Sequence, residues 1–133
     1  NLTEKIPEKK QKLVKKHVNL YLLLIQKYEN KKFILMKKNP SDGIWANLWN
    51  LPSFNGVNEY KKFLLSNDLS GTSSQYDYIE HSLSHRKLKI YVIRVELKKC
   101  TEVDNYCWKN IYDKIGSSKP IIMIIDKLKR EQK

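Results

Sequence analysis

The chain has 133 residues, an apolar content of 41% and a formal charge of +12 at neutral pH. That length fills one core and leaves no room for a second domain of ordinary size. Leu22-Leu23-Leu24-Ile25 is far shorter than the roughly twenty apolar residues of a membrane-spanning helix, so a soluble, cytoplasmic chain with no membrane partner is expected.

Charge of this sign and size draws polyanions toward a protein over long range, which makes nucleic acid the first partner class. A lysine-rich composition is the competing explanation, because Asn and Ile are also abundant and arginine occurs only at Arg86, Arg94 and Arg130. Cys100 and Cys107 are too few for a disulfide framework and fit a reducing compartment. Their spacing echoes the first half of a C-x6-C-x2-C-x5-C iron–sulfur pattern, but Asn110 and Gly116 stand where its last two cysteines belong. Both read as ordinary thiols.

Residues 1–12, with Glu4-Lys5-Ile6-Pro7-Glu8-Lys9-Lys10, read as a charged linker, and the start at Asn1 predicts a longer parent with a missing N-terminal domain. Residues 13–133 form one domain. Val18 to Tyr28 predicts a strand, Glu29-Asn30-Lys31 a turn and Phe33 to Met36 a second strand. Pro40, Gly43, Pro52 and Gly56 bar a long helix, so a short strand in a loop packed down by tryptophan is expected. Tyr60, Phe63 and Leu64 recur at helical spacing over Val57–Ser66, with Asn58 as N-cap and Lys61 and Lys62 facing water. Gly71 to Ser74 reads as loop. Tyr76–Glu80 and Leu88–Leu97 alternate with period two and predict strands, the segment between them lying at a hairpin turn. Trp108 closes a further strand. A last helix begins at Pro120, with Ile121, Ile122, Ile124, Ile125 and Leu128 as its buried stripe. The order predicts a mixed sheet between helices, an α/β (α+β) sandwich.

Two segments carry chemistry. His81-Ser82-Leu83-Ser84-His85 places imidazoles and hydroxyls at the mouth of a strand pair, where donors and acceptors can read the edge of a ligand. Ser84 beside His85 suggests a nucleophile and its base, but strand neighbours face opposite ways and no acid is placed to orient the imidazole. Zinc at His81 and His85 lacks further ligands. The second segment, Pro40 to Phe54, holds Trp45 and Trp49, whose plainest role is packing.

Together these segments resemble the C-terminal domain of the MutY-type adenine DNA glycosylases. His81-Ser82-Leu83-Ser84-His85-Arg86-Lys87-Leu88-Lys89-Ile90 is similar to the family pattern H-x-F-S-H-x-x-L-x-I, with Leu83 replacing the aromatic residue. Pro40, Gly43, Ile44, Trp45, Leu48, Trp49 and Pro52 match the other signature, whereas Asn39, Ala46, Asn47 and Leu51 replace its arginine, two glycines and phenylalanine. The resemblance implies a Nudix-like fold that reads 8-oxoguanine opposite adenine. A separate catalytic domain of the same polypeptide, carrying a four-iron cluster, then excises the adenine in base-excision repair. It implies lesion contacts at Leu83, Ser84 and His85, with His81, Arg86, Lys87 and Lys89 near phosphates. It further implies double-stranded DNA as partner and a monomeric, DNA-associated bacterial protein. No catalytic residue, metal ligand or cofactor is expected in this chain. An active Nudix hydrolase is the rival; it needs a helix with several carboxylates for magnesium, and the helix here offers Glu59 beside Lys61 and Lys62. A basic module without lesion preference is a third reading.

Overall fold

Leu22 to Ile25 form the part of strand β1 (Lys16–Gln26) that is covered on both faces, which is why its sequence is continuously apolar. The computed structural model describes residues 15–27, 29–99 and 101–131; the linker residues 1–12, Tyr28 and Cys100 lie outside them. The other strands are β2 (Phe33–Lys38), β3 (Trp49–Asn50), β4 (Ser53–Phe54), β5 (Gly71–Ser82), β6 (Arg86–Leu97) and β7 (Cys107–Asn110), and the helices are α1 (Val57–Ser66) and α2 (Lys119–Glu131). The sheet runs β3-β2-β1-β6-β5, with β4 added to β1 and β7 to β2. Among the named strands of the described residues, β1 and β6 pair in parallel, from Lys16 opposite Arg86 to Gln26 opposite Glu96, and the other strand pairs are antiparallel. The mixed sheet flanked by two helices is the predicted architecture.

This parallel register gives β1 and β6 the same parity. Even positions Leu22, Leu24, Leu88, Ile90 and Val92 join Ile121, Ile124, Ile125 and Leu128 of α2 in one core. Odd positions Leu23, Ile25, Val95 and Leu97 form a second core, on which Tyr60, Phe63 and Leu64 of α1 pack.

Several expectations need correction. The N-cap of α1 is Gly56, in extended conformation and without a side-chain cap; Asn58 lies inside the helix, whose first turn carries Glu59 instead. Ile122 is 43% exposed, because it lies off the face that Ile121, Ile124, Ile125 and Leu128 turn to the sheet. Gly71 to Ser74 are strand, not loop: they pair with Arg94 to Leu97 through backbone bonds alone, their side chains lying largely in solvent. A β-carbon at Gly71 would lie 2.1 Å from the Glu96 carbonyl oxygen, so glycine permits this approach. The expected single short strand in the tryptophan loop is two, β3 and β4.

Candidate nucleic-acid interface

Period-two pairing of β5 with β6 continues to Ser82 opposite Lys87, and the Leu83 amide closes the turn by donating to the Arg86 carbonyl at 2.7 Å. Ser84 and His85 therefore occupy the tip, and both are exposed. The tip is tied to the sheet as well: the Lys16 amide donates to the His85 carbonyl at 3.1 Å. The carbonyls of His85 and Arg86 are engaged, and the polar groups that the exposed tip presents to a ligand include the Ser84 hydroxyl and amide and the His85 imidazole.

The residues singled out in the sequence divide by parity. Leu83 turns back and packs against the even core, and His81 faces Trp45 on the same side, its ring centroid 6.2 Å from the indole. Ser84, His85 and Arg86 stand at the exposed end. Lys87 and Lys89 point to the odd face, where Lys87 approaches Glu80 at 3.3 Å. The Tyr78 hydroxyl donates to Glu80 at 2.8 Å. This bond, followed by Lys87, holds the Glu80 carboxyl below the usual carboxylate range, and the same bond pushes the Tyr78 phenol up to about 12. The hairpin thus has an anchored side, an exposed tip and a basic side.

The tryptophan loop, which meets the anchored side where Trp45 faces His81, is held in shape by its own polar bonds. The Asn39 side-chain amide donates to the Trp45 carbonyl at 3.2 Å, and the Leu48 amide donates to that carbonyl at 3.1 Å. Asn47 lies at φ 64, a left-handed conformation that glycine adopts freely and asparagine tolerates best among the other residues. This is the second of the two positions at which glycine of the MutY-type pattern is replaced here, and asparagine is compatible with the turn. Trp45, at φ 58, is held in the same region despite its bulk.

Under this loop lies a cavity of about 260 Å³, floored by Val18, Leu20 and Leu88 and edged by Asn39, Asp42 and Asn50. No sequence pattern announces it, because its walls come from β1, β6 and the tryptophan loop, which meet only through the β1–β6 and β1–β4 pairings of the folded sheet. A second feature, also unforeseen, pairs Arg94 and the Tyr76 hydroxyl with Glu131 at the end of α2. Burial opposes ionisation of Glu131, but the bonds from Arg94 and Tyr76 prevail and hold its carboxyl below the usual range. Burial, then Glu131, pushes the Tyr76 phenol up.

Among the described residues, no group of three or more His, Cys, Asp or Glu side chains is placed to hold a metal ion. Glu59 is the single acid of α1, beside Lys61 and Lys62. Cys107 is an exposed thiol. No helix among the described residues is long and apolar enough to cross a membrane.

Among solved structures, the chain is similar to the C-terminal domain of mouse MUTYH in complex with human PCNA, at 14% identity and a TM-score of 0.62, covering 85% of this chain and 89% of that one. It is similar to a MutT protein from Methanosarcina mazei, at 15% identity and a TM-score of 0.63, covering 91% and 99%. The E. coli ORF135 protein matches at 11% identity and a TM-score of 0.64, covering 89% and 92%. Identities this low describe a shared fold. No curated protein matches the chain in sequence. The sequence profile of the NUDIX domain matches residues 21–127, most of the chain, and the chain therefore belongs to the Nudix domain family.

Proposed function

We propose that the chain is the lesion-recognition domain of a MutY-type adenine DNA glycosylase, reading 8-oxoguanine opposite adenine. The observation that carries this reading is the exposed Ser84-His85 tip, fixed by the Leu83–Arg86 turn and set on a basic strand pair. Oxidation converts guanine N7 from an acceptor to an N–H donor and adds a carbonyl at C8. The Ser84 hydroxyl accepts from N7–H, and the Ser84 amide or the His85 imidazole donates to O8. Unoxidised guanine would set two acceptors against each other. One such contact supplies about 1–3 kcal/mol of discrimination. Leu83, half-buried, supports the tip and offers an apolar edge beside the base, while Arg86, Lys87 and Lys89 meet phosphates and His81 lies behind them.

In this reading adenine excision belongs to a catalytic domain of the same polypeptide, which carries the four-iron cluster, and none of the chemistry is assigned to residues of this chain. Binding of the purified chain to duplexes with 8-oxoguanine:adenine and guanine:adenine tests the proposal. A preference for the first, lost in Ser84→Ala without loss of fold, is expected; equal affinities in the wild type would overturn it.

A nucleotide hydrolase is the second reading, favoured by the family match and by the cavity under Trp45. Against it stands α1: one carboxylate beside two lysines gives too few oxygen ligands for a magnesium pyrophosphate. Release of 8-oxo-dGMP from 8-oxo-dGTP and magnesium would establish the second reading.

A further inference from the structure

Outside both cores, the odd face of β5, β6 and β1 carries a row of tyrosines that passes from strand to strand. Tyr78 lies opposite Tyr91, and Tyr91 opposite Tyr21, with ring centroids 5.0 Å apart in each pair. Tyr60 of α1 ends the row, 5.7 Å from Tyr21. Toward the hairpin, the same face bears Ser82, Lys87 and Lys89 with His17 and Asn19 of β1, by the alternation of the three strands. We propose that this face binds the phosphate backbone of duplex DNA, as a surface continuous with the tip at Ser84. The proposal extends the lesion-reading role and rests on it only for which duplex is held.

The ring geometry selects the ligand. A separation of 5.0 Å between opposed residues is close to the roughly 4.8 Å between neighbouring strands, so the rings form a ladder standing off the sheet. Tyr21 and Tyr91, inclined by only 19°, give their π-faces to each other. What the row offers outward is edges and hydroxyls, which suit phosphate oxygens better than they suit stacked bases. Lysine is depleted in protein–protein interfaces, so Lys87 and Lys89 beside the row favour a polyanion over a protein. The one acid on this part of the face, Glu80, is already engaged by Tyr78 and Lys87. Arg86 and Lys16, paired at the strand starts, have the other parity and add positive charge at the end of the sheet beside the tip, not on the row itself.

Fluorescence-anisotropy titration of the full chain against both duplexes, at several salt concentrations, tests this. Lys89→Ala and the double variant Tyr21→Phe/Tyr91→Phe, which keeps the ladder and removes two hydroxyls, should each weaken both duplexes about three- to tenfold, the scale of one or two hydrogen bonds. The ratio between duplexes should not move, and Lys89→Ala should flatten the slope of log K against log salt by about 0.9. Unchanged affinity in both variants, or no duplex binding by the wild type, overturns the proposal. Weakening of both duplexes in a protein that prefers neither leaves this face standing and sinks the lesion-reading role. A preference abolished by Ser84→Ala, with no effect of the face variants, does the reverse. Variants that lower self-association and leave DNA affinity unchanged would give the face to a second copy, and overturn it too.

Discussion

The Trp45 indole and the His81 imidazole meet with centroids 6.2 Å apart and planes inclined by 51°. Through this contact the loop of residues 40–56 supports the hairpin that presents Ser84. Trp45 is half-buried against the even core, so Trp45→Ala should cost about 2 kcal/mol, less than the 3–5 kcal/mol of a fully buried aromatic. Urea unfolding measures the loss. Exchange of the Leu83 and Lys16 amides, which donate to the Arg86 and His85 carbonyls, should accelerate with it, and Trp45→Phe should recover most of both. Destabilisation without faster exchange at the hairpin would mean that the loop and the tip are independent.

Asn47 tests the backbone of the same loop. Its left-handed φ of 64 makes Asn47→Gly neutral or stabilising, whereas Asn47→Val should cost about 1–2 kcal/mol, since a β-branched side chain crowds its own backbone there. Thermal unfolding of the two variants gives the comparison. Equal melting temperatures would show that the turn relaxes out of the left-handed region.

Parity explains what was legible in the sequence. Alternation in Leu88 to Leu97 and the helical stripe around Ile121 report burial on one face, and both elements follow. The hairpin follows from the same alternation, which sets Ser84 and His85 at its turn. Gly71 to Ser74 gave no signal, because an exposed edge strand held by backbone bonds has no apolar face to betray it. The tyrosine row was hidden for another reason. Tyr21, Tyr78 and Tyr91 come from three strands, and they meet only once the parallel β1–β6 register is known. The same holds for the cavity, whose floor unites Val18 and Leu20 with Leu88.

Glu131 secures the end of α2 by bonding to Arg94 and to Tyr76. Because its folded pKa is lowered, its contribution is full above the ordinary carboxylate range and disappears as pH falls through the folded value. Glu131→Gln should therefore cost about 1 kcal/mol near neutrality, a figure discounted for the solvent exposure of the pair. The gap from wild type should close in acid. Urea midpoints across that range provide the check, and a gap that stays constant to the lowest pH would assign the effect to packing instead of charge.

Glu80 restrains the basic side of the hairpin: it holds Lys87 at 3.3 Å and accepts from the Tyr78 hydroxyl. Glu80→Gln removes a negative charge from the face and releases Lys87, so affinity for every duplex should rise about two- to fivefold. The slope of log K against log salt should steepen by up to about 0.9, the value for one added phosphate contact. Lesion preference should not change, because the tip is untouched. The Glu80 carboxyl sits below its ordinary pKa and stays charged at neutral and mildly acidic pH. Wild type and variant should therefore differ there, and converge only in stronger acid. Anisotropy titrations at two pH values and two salt concentrations separate these terms. Weaker binding by Glu80→Gln would mean that Glu80 aligns Lys87 for the phosphate and does not compete with it.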